Sequence, residues 1–226
     1  MPKSHLLLLL VSAAHLFIFL APSISAYRLY DASENGAANS SSNATAFIRS
    51  SCSATLYPER CYNSLARYAN AIQDSPSQLA LVAVSISLRK ARRTAAYAAS
   101  LLQRSPAASS DPRALAALRD CRSTFGDAVD LIRQSQAELR QLKTGEEFRW
   151  QMSNVETWMS AAETNEDTCT DGFEGVADGP LKADVCARVG SAQEVTSNAL
   201  ALVNSLAAKE DAAASSPAVY FPGRGF

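Results

Sequence analysis

The sequence predicts an all-α protein built as an up-down-up-down bundle of four long helices. Three observations predict it. Apolar residues recur at alternating three- and four-residue steps in four long segments. The links between those segments are short and rich in Pro, Gly and Ser, which favours antiparallel neighbours. No alternating, β-branched run competes with them.

The first long segment opens with Ser75-Pro76-Ser77-Gln78, in which Ser75 can cap, Pro76 suits the first turn and Gln78 completes a capping box. Val84, Leu88, Ala91, Ala95, Ala98 and Leu102 then mark one helical face, and Pro106 with Ser109-Ser110 ends it. The second opens with Asp111-Pro112. Leu118, Cys121, Phe125, Ala128, Ile132, Ser135, Leu139 and Leu142 keep a seven-residue repeat there, the strongest periodic signal in the chain. The third opens with Thr144-Gly145-Glu146-Glu147, read as another capping box, and carries Phe148, Met152, Val155, Met159 and Ala162 on its stripe. The fourth follows Gly179-Pro180, with Val185, Val189, Ala192, Thr196, Ala199, Val203 and Leu206 on one face. Upstream, Tyr57-Pro58 starts a shorter helix through Cys61, Leu65 and Tyr68. Small residues along these faces let helices approach closely.

Residues 1–26 read as a secretory signal peptide: Lys3, an apolar run from Leu6 to Ala21, then Ile24-Ser25-Ala26 at a cleavage point. The run is shorter than the ~20 residues that a membrane span needs, and no second apolar run of its length follows. Without this segment the chain keeps 20 Lys+Arg against 22 Asp+Glu, a net charge of −2. That balance argues against a nucleic-acid partner, and no membrane association is expected. Residues 27–46 form a polar Ser/Asn/Ala-rich lead, expected to be flexible, with glycosylation sequons at Asn39 and Asn43. Residues 47–208 are the helical domain and 209–226 a flexible C-terminal tail.

Both histidines, His5 and His15, fall in the signal peptide. The mature chain therefore has no Ser-His-Asp or Cys-His catalysis and no His-containing zinc site. No glycine-rich phosphate loop is visible, and no cofactor or metal is expected. A carboxylate-only hydrolase would have to use a pair such as Asp127 and Asp130, around which no polar constellation gathers. A helical ligand carrier would need an internal cavity, whereas the small-residue stripes suggest a filled core. The charges are uneven. Arg89-Lys90-Ala91-Arg92-Arg93 is a basic cluster, and Glu156 to Asp184 holds eight acids and one base. Each is either a solvated helix face or, for the acids, a surface that steers a basic partner; the basic cluster could also hold an anionic polysaccharide.

The five cysteines, Cys52, Cys61, Cys121, Cys169 and Cys186, suggest two disulfides and one leftover thiol in an oxidising compartment, and their number alone allows fifteen arrangements. Their contexts are more informative. Cys52-Ser-Ala-Thr-Leu-Tyr-Pro-Glu-Arg-Cys61 places two cysteines around a Thr-x-Tyr-Pro turn. Leu118-Arg-Asp-Cys121 precedes Phe125-Gly-Asp-Ala-Val-Asp130. Trp158-Met-Ser-Ala-Ala leads to Thr168-Cys169-Thr-Asp171-Gly-Phe173, and Thr196-Ser-Asn-Ala-Leu-Ala-Leu202 follows. Together, over residues 47–208, these resemble the plant invertase and pectin methylesterase inhibitor family, and the Trp158 block resembles its pectin methylesterase branch. The block is also similar to the pro-region fused to some pectin methylesterases; a chain of 226 residues is expected to be a free-standing inhibitor.

The resemblance implies a four-helix bundle preceded by a small helical hairpin. It pairs Cys52 with Cys61 and Cys121 with Cys169, and leaves Cys186 free. It implies a secreted, apoplastic protein that binds pectin methylesterase one-to-one, covers the pectin-binding cleft, is not an enzyme and is monomeric when free; inhibition of acid invertase is the alternative. Carried over by motif position, Asp127, Asp130, Thr168 and Asp171 are the candidate contact residues. The alternative for the aspartates is a solvated face, and for the other two the shaping of a turn. Ser123 stands where relatives commonly carry an acid, and Phe125 where Tyr is usual.

Overall fold

A computed structural model describes residues 42–104 and 110–215. The signal peptide, Asn39, residues 105–109 (hence the expected stop at Pro106) and residues from 216 onward lie outside the described residues. Helix α1 spans residues 42–52. It is followed by α2 (Pro58–Leu65), a 3-10 turn at Ala66–Tyr68, α3 (Ala69–Ile72), and four long helices: α4 (Pro76–Arg104), α5 (Pro112–Leu139), α6 (Glu146–Asp171) and α7 (Pro180–Ser215). No strand occurs among the described residues.

The four long helices form a square. Contacts run α4–α5, α5–α6, α6–α7 and α7–α4. Side-chain hydrogen bonds mark the antiparallel register of three of these pairs, Ser85 with Gln136 between α4 and α5, Ser87 with Thr196 between α4 and α7, and Asp167 with Gln193 between α6 and α7, and a disulfide marks the fourth. The periodic residues face the centre. Every stripe residue of α6 and α7 named above is buried, as are those of α5 up to Leu139, while Ala95 and Leu102 of α4 and Leu142 are half-buried. Phe125, Phe173, Met152, Met159, Leu118 and Ile132 fill the interior. Burial of a side chain of this size contributes about 1.5–3 kcal/mol, so amphipathic periodicity, rather than intrinsic propensity, holds the bundle together.

The helix starts follow local chemistry. Ser75 Oγ accepts from the Gln78 N–H at 3.3 Å, while the Ser75 N–H itself goes to the Ile72 carbonyl. Asp111 Oδ1 accepts from the Arg113 N–H at 2.9 Å. The capping box expected at Thr144 does not form. Gly145 is the N-cap of α6, at φ 66, a backbone conformation that glycine reaches without steric cost. The α5–α6 link is held instead from inside the helix. Gln151 Oε1 accepts from the Lys143 N–H at 2.7 Å, and its Nε2 donates to the Gln141 carbonyl at 3.2 Å.

Two further expectations change. Residues 42–46, the last of the lead, are described as helix, and Ala44 within the Asn43 sequon is buried. Helix α7 continues to Ser215, seven residues into the stretch read as tail. Residues Ala207 to Ser215 are mostly alanine, serine and charged residues, which extend a helix readily without supplying an apolar stripe for periodicity to detect.

Both disulfides implied by the resemblance are present. Cys52–Cys61 joins α1 to α2, and Cys121–Cys169 joins α5 to α6 with 48 residues between them in sequence. Cys186 is a free, half-buried thiol.

Candidate partner-binding face

The Cys121–Cys169 bridge ties the start of α5 to the end of α6. Asp127 and Asp130 continue along α5 from one side of it; Thr168 and Asp171 flank the α6 half. All four are exposed. The antiparallel register set by the Cys121–Cys169 bridge puts Thr168 level with Arg122 and Asp171 level with Arg119, and Asp130 lies eleven helical positions beyond Arg119, roughly 16 Å at ~1.5 Å per residue. The four therefore do not converge on a point. They spread along one α5–α6 strip, an arrangement suited to contacting a surface rather than to enclosing a small molecule. Asp127 has no hydrogen-bond or ion-pair partner among the described residues, whereas Asp130 pairs with Arg133. The Thr168 hydroxyl donates to the Thr164 carbonyl at 2.9 Å and keeps its lone pairs outward.

The acidic run does not make one face. Asp184 accepts from the Tyr97 hydroxyl and from Arg188, whose guanidinium also lies 4.0 Å from the Tyr97 ring centroid. Asp178 pairs with Lys182, and Asp167 accepts from Gln193. Glu166 is fully buried. Its Oε1 accepts from the Thr196 hydroxyl at 3.1 Å, Thr196 in turn meets Ser87 at 2.9 Å, and Oε2 has no partner. Burial, and then the nearby charges of Glu163 and Asp167, push the Glu166 carboxyl up to about 8, with the Thr196 bond opposing. Sequence reading placed Glu166 only among surface acids. The signal was present: the α6 stripe through Met159 and Ala162, continued by four and then three residues, falls on Glu166 and Cys169.

The basic cluster divides as well. Arg89, Arg92 and Arg93 turn toward α5. Lys90 turns the other way, and burial, with the charges of Arg60, Arg188 and Arg93, lowers its pKa.

The hairpin has its own anchor. Asn198 of α7 accepts from the Tyr57 N–H at 3.1 Å and donates to the Tyr57 carbonyl at 3.0 Å. Arg60 pairs with Glu194 beside it. This clamp holds out Leu56, 71 % exposed, at the hairpin tip. It also gives the Thr-Leu-Tyr-Pro and Thr196-Ser-Asn198 motifs a shared physical purpose, since each satisfies polar groups that the other element leaves open.

Among the described residues no group of three or more His, Cys, Asp and Glu could hold a metal ion, and no helix is long and apolar enough to cross a membrane. The fold and its two bridges define a class, that of disulfide-stapled antiparallel helical bundles with a polar strip across two covalently tied helices. The chain belongs to the plant invertase/pectin methylesterase inhibitor family, whose profile matches residues 46–202. It is 42 % identical over 176 residues to the "21 kDa protein" of Daucus carota, covering 76 % of this chain and 90 % of that one. It is 41 % identical over 198 residues to pectinesterase inhibitor 11 of Arabidopsis thaliana, covering 86 % and 96 % respectively. A crystal structure of a mutant form of a pectin methylesterase inhibitor from Arabidopsis superimposes with a TM-score of 0.55 at 20 % identity, over 68 % of this chain and 92 % of that one. That likeness is one of fold.

Proposed function

We propose that the protein is a secreted, apoplastic inhibitor of pectin methylesterase that binds the enzyme one-to-one and covers its pectin-binding cleft. It acts as a binding protein rather than as a catalyst and is monomeric when free, with Asn39 and Asn43 as glycan acceptors. The observation that carries this reading is the 41 % identity to a pectinesterase inhibitor across almost the whole of both chains. The α5–α6 strip supports it physically: two helices joined by a buried disulfide present Asp127, Asp130, Thr168 and Asp171 without the ordering cost that a flexible loop would incur.

The test is an activity assay of the purified mature protein against plant pectin methylesterase and against acid invertase, with the stoichiometry read by size-exclusion chromatography. Inhibition of the esterase and a one-to-one complex are expected. Inhibition of invertase alone would replace this reading with the other activity in the family's description.

A further inference from the structure

Between α4 and α5, on the outside of the bundle, lies a groove of about 560 Å³ whose lining includes Arg89, Arg92, Arg93 and Arg140 and no acidic residue. Its floor carries the Gln136–Ser85 hydrogen bond at 2.7 Å. Arg89 donates to the Tyr68 hydroxyl at 3.1 Å, which fixes the guanidinium without neutralising it. Arg92, Arg93 and Arg140 have no carboxylate partner among the described residues. Three other arginines do meet a carboxylate: Arg60 with Glu194, Arg133 with Asp130, and Arg188 with Asp184.

The register gives the charges a shape. From the Ser85–Gln136 contact, Arg93 lies eight positions along α4 in one direction and Arg140 four positions along α5 in the other. At ~1.5 Å per residue the positive charge extends over roughly 18 Å. A single small anion would meet one or two of these groups, whereas an extended chain with repeated anionic groups meets them all. Guanidinium forks match carboxylates in bidentate geometry, and the Ser85 and Gln136 side chains offer partners for hydroxyls between them.

We propose that this groove binds the free carboxylates of a polyuronate chain, the de-esterified polymer that a pectin methylesterase leaves behind. The choice of polyuronate rests on the function proposed above; the anionic, extended character of the ligand rests on the groove alone. Binding there would hold the protein on regions of the wall where de-esterification has already occurred, by a surface separate from the α5–α6 strip.

The test is calorimetric or surface-based binding of the mature protein to oligogalacturonate with free carboxylates, to the same oligomer fully methyl-esterified, and to polyglutamate and dextran sulfate, at low and at physiological salt. Binding of the free acid, weakening with salt, and no binding of the ester are expected. The triple variant Arg92→Ala/Arg93→Ala/Arg140→Ala should bind at least about tenfold more weakly, with an unchanged circular dichroism spectrum. The control Arg104→Ala/Arg113→Ala, which removes exposed charges outside the groove lining, should bind as the wild type does. Failure of the wild type to bind oligogalacturonate, equal loss in both variants, or equal affinity for polyglutamate and dextran sulfate would each overturn the proposal. Esterase inhibition is assayed on the same samples. A protein that binds the polyuronate and inhibits no esterase would support the groove while removing the function proposed above; one that inhibits yet ignores the polyuronate would overturn the groove alone.

Discussion

Glu166 is the residue whose environment departs furthest from that of its free side chain. In the unfolded chain its carboxyl ionises near 4.5, whereas in the folded chain burial holds the proton until about 8. Between those values the folded state binds a proton that the unfolded state has released. Stability must therefore fall as pH rises through this window, and the loss is absent below it. The size at neutral pH is on the order of 3 kcal/mol. Glu166→Gln keeps the side-chain shape and an oxygen for Thr196 but cannot ionise. We expect the wild type to melt at a higher temperature at about pH 5 than at about pH 8, and the variant to lose most of that difference. A parallel pH trend in both proteins would mean that other groups carry it. At the α5–α6 strip, Asp127→Ala or Thr168→Ala should weaken esterase inhibition with the helical content intact. If Asp127 is desolvated against a charged partner, its loss costs about 2–5 kcal/mol and appears in the dissociation rate; at a wet rim it appears in the association rate and its salt dependence. Unchanged affinity in both variants would relocate the interface, with Glu163 and its neighbours next to be tried.

Among the elements, the two bridges differ in the loops they close, with sequence separations of 9 and 48. In the chain-entropy account the longer loop contributes about 1.5 kcal/mol more. Cys121→Ser/Cys169→Ser should thus lower the melting temperature more than Cys52→Ser/Cys61→Ser does. Equal or inverted losses would show that native contacts, not loop entropy, set the order. The long helices were legible in the sequence because each must bury one face, and periodicity records that directly. Helix starts were legible where a side chain caps its own backbone, as at Ser75 and Asp111. The α6 start was not, because no side chain caps it: a glycine takes the positive φ, and Gln151, in the second turn, holds the preceding link instead. The end of α7 was missed for the opposite reason: a run of alanine, serine and charged residues without large apolar side chains leaves no periodic trace. Of the candidate site, residue types and positions were readable from motif spacing, whereas the spread of the four residues into a strip depends on the register between two helices, which no single helix encodes.

At the scale of the whole molecule, the hairpin shares one hydrophobic core with the bundle, through Ile48, Cys52, Leu65 and Ile72, and polar contacts add to that seat. The Asn198 clamp on Tyr57 and the Arg60–Glu194 pair lie together on α7. Asn198→Ala leaves the Tyr57 N–H without this partner, at a cost of about 1–3 kcal/mol, while the carbonyl keeps the Cys61 N–H. Amide exchange at Tyr57 and proteolysis near Leu56 should accelerate, while the four long helices keep their protection. Uniform acceleration across the bundle would mean that hairpin and bundle unfold as one unit. The separation of 141 positions between the clamp's two halves also orders the making of the protein. A chain emerging from its N-terminus presents Cys52 and Cys61 long before Asn198 exists, so the hairpin can close its own ring early. Its seat on α7 is among the last pieces to be synthesised. The first element completed is therefore the last to be fastened, and until α7 is made Tyr57 is carried on a closed ring without the side chain that clamps it.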